Sequence, residues 1–323
     1  MSNRKTRKLK NKLLVPFEWL GIGVAMCFIP WLPRKALFEL CDIASSVMYF
    51  FDRRGRRRSL ENLRIVRGVS VHTDAPWDFD PDKSPYDANA AERKIIRRAY
   101  RNMARSVGYA FWTICRARGR CAATGEVDAR TKAFLAAHRP CVTVSGHLGC
   151  WEILSQLAFL EGHAMMSVAK NIGTSGMTRL LMRARRSIGQ EIVPAEGAFK
   201  PLMAGIRGGK SLGLLVDQSV STKRGGIWIR FLGLPFAASP APAFFAAKAK
   251  VPIIVAWSRP LKDGRYRCEF LDEISADEAR DIRGTTQRCA DILAKVVRRH
   301  PSCWVVNYNF FSNRPQTEEK PNV

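Results

Sequence analysis

Residues 141–161 read CVTVSGHLGCWEILSQLAFLE. The first five residues form a short apolar run suited to a buried strand, and apolar residues recur at helical spacing from Trp151 to Glu161. Between the two runs, Gly146 and Gly149 flank a turn that carries His147. A strand that ends at a reactive side chain and feeds a helix places that side chain at the carboxyl edge of a sheet, where α/β folds bind ligands. His147 is therefore the candidate for the chemistry, with Glu152 in the first turn of the following helix.

Outward from this stretch, everything after Pro140 alternates between strand-like and helix-like segments. Strands are expected at 141–145, 164–169, 191–193, 212–216, 227–231, 251–258, 266–271 and 304–308, and helices at 151–161, 176–188, 199–208, 240–250 and 276–300. The alternation predicts an α/β fold with a mixed, largely parallel sheet flanked by helices. Residues 91–118 precede it as a helix with Ile95, Ile96, Tyr100, Met103, Val107, Phe111 and Ile114 on one face and arginines on the other.

The N-terminus opens with MSNRKTRKLKNK, followed by the apolar run 13–32. About 20 apolar residues span a bilayer, and this run has that length only with Pro16, Glu18 and Pro30 inside it. Trp19 and Trp31 would suit the two interfaces, and the basic start keeps the N-terminus cytoplasmic. The expectation is an uncleaved anchor that spans or dips; the alternatives are a signal peptide, for which no small-x-small site is evident, and a buried helix of a soluble protein. The run 36–51, interrupted by Glu39 and Asp42, reads as amphipathic, and basic residues follow at 53–58. Residues 59–67 continue a basic helix, and 67–90, rich in Pro, Asp, Ser and Asn, form a loop in which His72 needs no function. The domain reading is thus a basic anchor over 1–58 and a single catalytic domain over 59–323, with 67–90 as a loop insertion.

With 53 Lys+Arg against 28 Asp+Glu, the formal charge is +25 and the sequence pI about 10.3. The partners should be anionic: nucleic acid, an anionic membrane face, a phosphorylated lipid or an acidic carrier protein. Nucleic acid lacks its usual companions here, with no zinc-finger spacing, no RNP-like aromatic strand and no basic heptads. Cysteines at 27, 41, 115, 121, 141, 150, 268, 289 and 303 include no C-x-x-C pair and read as buried thiols, which fits a reducing compartment.

His147 and Glu152 are five residues apart, which does not suit two zinc ligands on one helix face. If His147 sits on the turn and Glu152 in the first helical turn, the carboxylate can reach one imidazole nitrogen and leave the other as a base. The plainer alternative is a histidine satisfied by a local bond at a helix start. Ser145 is no hydrolase nucleophile, because V-S-G-H is not G-x-S-x-G.

SGHLGCWE (145–152) resembles the H-x4-E signature of the bacterial lipid A biosynthesis acyltransferase family, the late lauroyl and myristoyl transferases, within the lysophospholipid acyltransferase superfamily. Further stretches match in order: SLENLRIV (59–66), LLVDQ (214–218) and IRFLGLPFAASPAPAFFAAKAKVPIIVAW (229–257). The resemblance implies transfer of an acyl chain from an acyl-carrier-protein thioester to a lipid hydroxyl, with no covalent enzyme intermediate. His147 would be the base and Glu152 its catalytic partner. Arg185, with Arg183 and Arg186 close by, would stabilise an anion, and Asp217 and Gln218 would line the same edge.

Two departures stand out. Cys150 replaces the family's usual Asn, and HPSCWVVNYNFFSNRP (300–315) puts Tyr308 and Asn309 where the lipid A enzymes carry aromatic, His and Arg residues. The acceptor expected is a lipid A precursor or a related anionic glycolipid. The alternatives are a lysophospholipid or other lipid acceptor with acyl-CoA or acyl-ACP as donor, and a non-catalytic basic protein that binds membranes or nucleic acid. The resemblance implies no metal and no cofactor beyond acyl-ACP as co-substrate. Its partners are acyl carrier protein, an anionic lipid and a membrane, with no nucleic acid, and its location is the cytoplasmic face of the bacterial inner membrane. Phe159, Phe244, Phe245 and the patch 180–182 are candidates for an acyl channel or for ordinary core.

Overall fold

The computed structural model describes residues 28–68, 89–113, 117–169, 182–183, 185–186 and 189–311. Its centre is a seven-stranded sheet in the order β1-β9-β8-β2-β5-β3-β4, where β1 is Gly125–Val127, β2 Val142–Ser145, β3 Met165–Ala169, β4 Glu191–Pro194, β5 Ser211–Leu215, β8 Ile253–Pro260 and β9 Tyr266–Ile274. From β8 through β4 the strands are parallel; β9 runs against β8, and β1 runs with β9. A separate hairpin joins β6 (Ile227–Phe231) to β7 (Leu234–Ala238). The expected mixed, largely parallel α/β sheet is what forms.

Both faces of this sheet are covered, so its inner strands read as unbroken apolar runs. Along β8, Ile253, Val255 and Trp257 enter one core with Val142 and Val144. That core is completed by α7 (Phe199–Arg207), α8 (Ala241–Ala249) and α9 (Ile282–Arg299). The alternate residues Ile254 and Ala256 pack on the opposite face, against α5 (Ala129–Ala136) and α6 (Trp151–Leu160). Seven described cysteines are buried free thiols; Cys27 and Cys115 lie outside the described residues.

Among the described residues, α1 (Arg34–Phe51), α2 (Arg53–Val66), α3 (Ala90–Trp112) and the short α4 (Ala117–Thr124) precede the sheet. The expected 91–118 helix stops at Trp112. Asp42 on α1 takes two bonds of 2.7 Å from Arg105 on α3, and Tyr100 donates to Asp52 at the α2 start at 2.8 Å. The outer face of α1 is unusual for a surface helix: Leu40, Ile43, Val47, Met48, Phe50 and Phe51 are all exposed.

Residues 13–27, the loop 69–88 and most of the 176–188 helix lie outside the described residues. Within the described part, 29–31 form a single 3-10 turn, and no helix is long and apolar enough to cross a membrane. One strand expectation fails. Residues 304–308 make an isolated bridge from Trp304 to Leu148 rather than a strand, because this segment lies across the loops at the sheet edge instead of beside a strand. The β1 and β7 strands and α5 were not anticipated. β1 has only three residues, too few to show a period, and β7 follows β6 after a two-residue turn.

Candidate active site

Parallel pairing of β2 with β5 puts Ser145 opposite Leu215. Two residues past each of these lie His147 and Asp217, so one register places them side by side at the carboxyl edge of the sheet. Asp217 Oδ1 is 2.7 Å from the ring Nδ1 of His147, and Asp217 Oδ2 accepts the backbone N–H of His147 at 2.8 Å. Oδ2 also accepts the indole N–H of Trp304 at 2.9 Å. Nδ1 thus carries its proton toward Asp217, and Nε2 is left as the acceptor. The amide Nε2 of Gln218 lies 3.4 Å from it, at the outer limit for a hydrogen bond.

Glu152 does not hold His147. Its two carboxylate oxygens take Nη2 and Nε of Arg185 at 2.6 and 3.0 Å, and the Trp151 indole donates to Oε1 at 3.1 Å. The carboxylate expected on the imidazole is therefore supplied from β5, 70 residues away, because Glu152 faces the arginine instead. The Trp151 ring meets His147 edge-on, centroids 5.1 Å apart. Arg185 is singled out from its neighbours: it reaches Glu152, whereas the side chains of Arg183 and Arg186 are exposed.

The turn is held from both sides. Gly149 has φ +60° and packs so closely on the Ser258 carbonyl that a Cβ would overlap it. Next to it, Cys150 N–H donates to the Ser258 hydroxyl at 2.8 Å, and Cys150 itself is a buried thiol that makes no side-chain cap for α6.

Three charged groups surround the imidazole. Desolvation is the largest influence on His147 and lowers its pKa, but the Asp217 charge and hydrogen bond, reinforced by Glu152 and opposed by Arg185, carry the net shift upward. For Asp217, desolvation is again the largest influence and raises its pKa. The His147 charge and the three N–H donors overcome it, holding the carboxylate below its ordinary range. The pair has the geometry of the His–carboxylate half of a catalytic triad: the carboxylate fixes one tautomer and favours the charged form of the ring.

A family model described as bacterial lipid A biosynthesis acyltransferase matches residues 85–311, more than half the chain. The chain belongs to that family. No curated protein matches it closely. A lipid A biosynthesis acyltransferase of this kind is a transferase, and the matched span contains His147, Glu152, Arg185, Asp217 and Gln218.

A narrow apolar gap, with room for about one water molecule, reaches Asp217 between the core side chains Val216, Ile229, Phe231, Phe236, Cys289 and Leu293. Phe159, Phe244 and Phe245 do not line it: Phe159 packs against Gly189, Phe245 is core and Phe244 is exposed. Leu180 lies outside the described residues. Among the described residues, no group of three or more His, Cys, Asp and Glu side chains is placed to hold a metal ion. Sequence reasoning put Asp217 and Gln218 at the edge but missed Asp217 as the imidazole's partner, and it missed Trp304 altogether. A buried tryptophan with one N–H to satisfy was the available signal for the latter.

Proposed function

We propose that this acyltransferase moves a fatty acyl chain from the thioester of acyl carrier protein to a hydroxyl of a lipid A precursor or related anionic glycolipid, working at the cytoplasmic face of the inner membrane. The observation that carries the reading is the His147–Asp217 pair, with Nδ1 engaged at 2.7 Å and Nε2 turned to the site. The acceptor hydroxyl displaces the Gln218 amide and gives its proton to Nε2 as its oxygen attacks the thioester carbonyl. The C–O bond forms, the carbonyl π electrons move to oxygen, and the tetrahedral oxyanion collapses with cleavage of the C–S bond. The imidazolium then returns the proton to the leaving thiolate. Asp217 stabilises that imidazolium without taking the proton.

Glu152 acts by holding Arg185, whose Nη1 edge is not used in that ion pair and can face substrate negative charge.

Two features support a membrane setting. The exposed apolar residues of α1, with exposed Phe28 and Trp31 before them, make a face suited to the acyl–headgroup boundary, and Arg53 and Arg54 stand exposed at its end. The charge of +25 suits both an anionic leaflet and an acidic carrier protein.

The test is a donor and acceptor matrix. Purified protein is incubated with acyl-ACP or acyl-CoA against a lipid A precursor and lysophospholipids, and products are read by mass spectrometry. Acylation of the lipid A precursor from acyl-ACP is expected. A product with lysophospholipid alone would overturn the acceptor, and one with acyl-CoA alone would overturn the donor.

A further inference from the structure

The His147 turn is pinned by the C-terminal segment. Gly149 N–H donates to the Cys303 carbonyl at 2.8 Å, Val305 N–H to the His147 carbonyl at 3.2 Å, and Leu148 bridges Trp304. Trp304 is fully buried; its ring stacks on Phe310 at 4.1 Å and meets Phe231 edge-on at 6.1 Å, with its N–H on Asp217. This segment belongs to no sheet, so its own backbone ladder cannot fix its path.

The hold comes from the other end of the chain. Asn62 of α2, 3% exposed, donates to the carbonyls of Val306 at 2.7 Å and Tyr308 at 2.8 Å. Asn102 of α3 donates to the Ser302 carbonyl at 2.8 Å. A carboxamide brings two N–H donors on one short side chain, which is what two adjacent carbonyls need; an aspartate at the same place would present only acceptors. Asn62 precedes the span matched by the family model.

We infer that Asn62 and Trp304 are positioning residues for the base: Asn62 fixes the path of residues 304–308, that path sets the indole, and the indole holds the Asp217 carboxylate in the orientation that keeps the His147 proton on Nδ1. The inference rests on His147 acting as the base. Oδ2 is occupied by two N–H donors, so Oδ1 alone faces the ring. Without the indole, Asp217 loses one N–H donor and becomes more basic, so it holds the imidazolium more tightly. The other charges facing the ring, Glu152 of α6 and Arg185, are untouched by either substitution below.

The experiment is an NMR titration of the ring 13Cε1–H signals in the full chain, comparing wild type with Trp304→Phe and Asn62→Ser. The chain has five histidines, and loss of a signal in His147→Gln assigns the one in question. The expected result is a higher His147 midpoint in both variants with His163 and His300 unmoved. It is accompanied by a kcat for acyl transfer lower by ~10–100-fold and little change in KM, as for a reacting group displaced by about 1 Å. An unchanged His147 titration in Asn62→Ser overturns the inference. If Trp304→Phe does not fold, Asn62→Ser alone decides; if Asn62→Ser also loses its dispersed spectrum, Asn62 is a residue of the fold and the inference fails. Because the titration needs no substrate, full activity in His147→Gln would refute the base and leave the titration standing.

Discussion

The Asp217 carboxylate grips His147 at two points, the ring Nδ1 at 2.7 Å and the backbone nitrogen at 2.8 Å. Asp217→Asn keeps the shape but loses the charge and can present an amide N–H to Nδ1, favouring the wrong tautomer. A fall in kcat of ~10³–10⁴-fold is expected with the fold retained. A loss below about tenfold in steady-state assays, with an unaltered circular dichroism spectrum, would remove Asp217 from the mechanism.

The pH profile follows from the same pair. Desolvation lowers the His147 pKa, but the Asp217 charge and hydrogen bond outweigh it, so the acid limb of kcat/KM should lie above the ordinary imidazole value of 6.5. In Asp217→Asn that limb should move to lower pH, measured on the residual activity. Stability carries matching signs. The raised His147 pKa contributes stability that is full below pH 6.5 and fades as pH rises through the folded value. The depressed Asp217 pKa contributes stability present above 3.8 and lost as pH falls through its folded value. Urea midpoints across pH should be highest between these limits, and the alkaline fall should shrink in His147→Gln.

Glu152 and Arg185 form a bidentate pair with side chains 9% and 14% exposed. Removing one member of a buried pair leaves the other unpaired, so Glu152→Ala should cost about 3–5 kcal/mol of stability, with Glu152→Gln costing less. The measurement that separates this role from a direct hold on the imidazole is the acid limb of kcat/KM. It should move far less in Glu152→Gln than in Asp217→Asn.

Gly149 and Gly197 both have positive φ, yet only Gly149 faces backbone where a Cβ would stand; Gly197 faces open space. Gly197→Ala should cost about 1–2 kcal/mol from conformation alone. Gly149→Ala must also push Ser258 away from Cys150 and should cost more, with loss of activity. Equal melting temperatures for the two variants would contradict this packing.

The exposed face of α1 makes a separate prediction. Transferring an Ile or Phe side chain into an apolar environment contributes roughly 1.5–3 kcal/mol, so Ile43→Glu and Phe50→Glu should each weaken co-sedimentation with anionic vesicles by ~10–100-fold. Unchanged sedimentation at raised salt in both variants would mean that this face does not meet lipid.

Sequence alone was enough for the strand–turn–helix of 141–161, because apolar runs and helical spacing are local properties that glycines punctuate. The parallel character of the sheet was legible for the same reason, as was the resemblance carried by SGHLGCWE and LLVDQ. What the sequence could not contain was which carboxylate meets the imidazole. Glu152 is five residues away and Asp217 seventy, and chain proximity favours the first. Only the register of β2 on β5, Ser145 against Leu215, carries Asp217 to His147. Trp304 was beyond reach for a stronger reason, since it arrives on a segment that reads as a strand yet joins no sheet, and Asn62, far along the chain, bonds that segment. Periodicity records which face of an element is buried; it does not record which distant element buries it, and that is settled only when the side chains of both must fill the same space and satisfy the same donors.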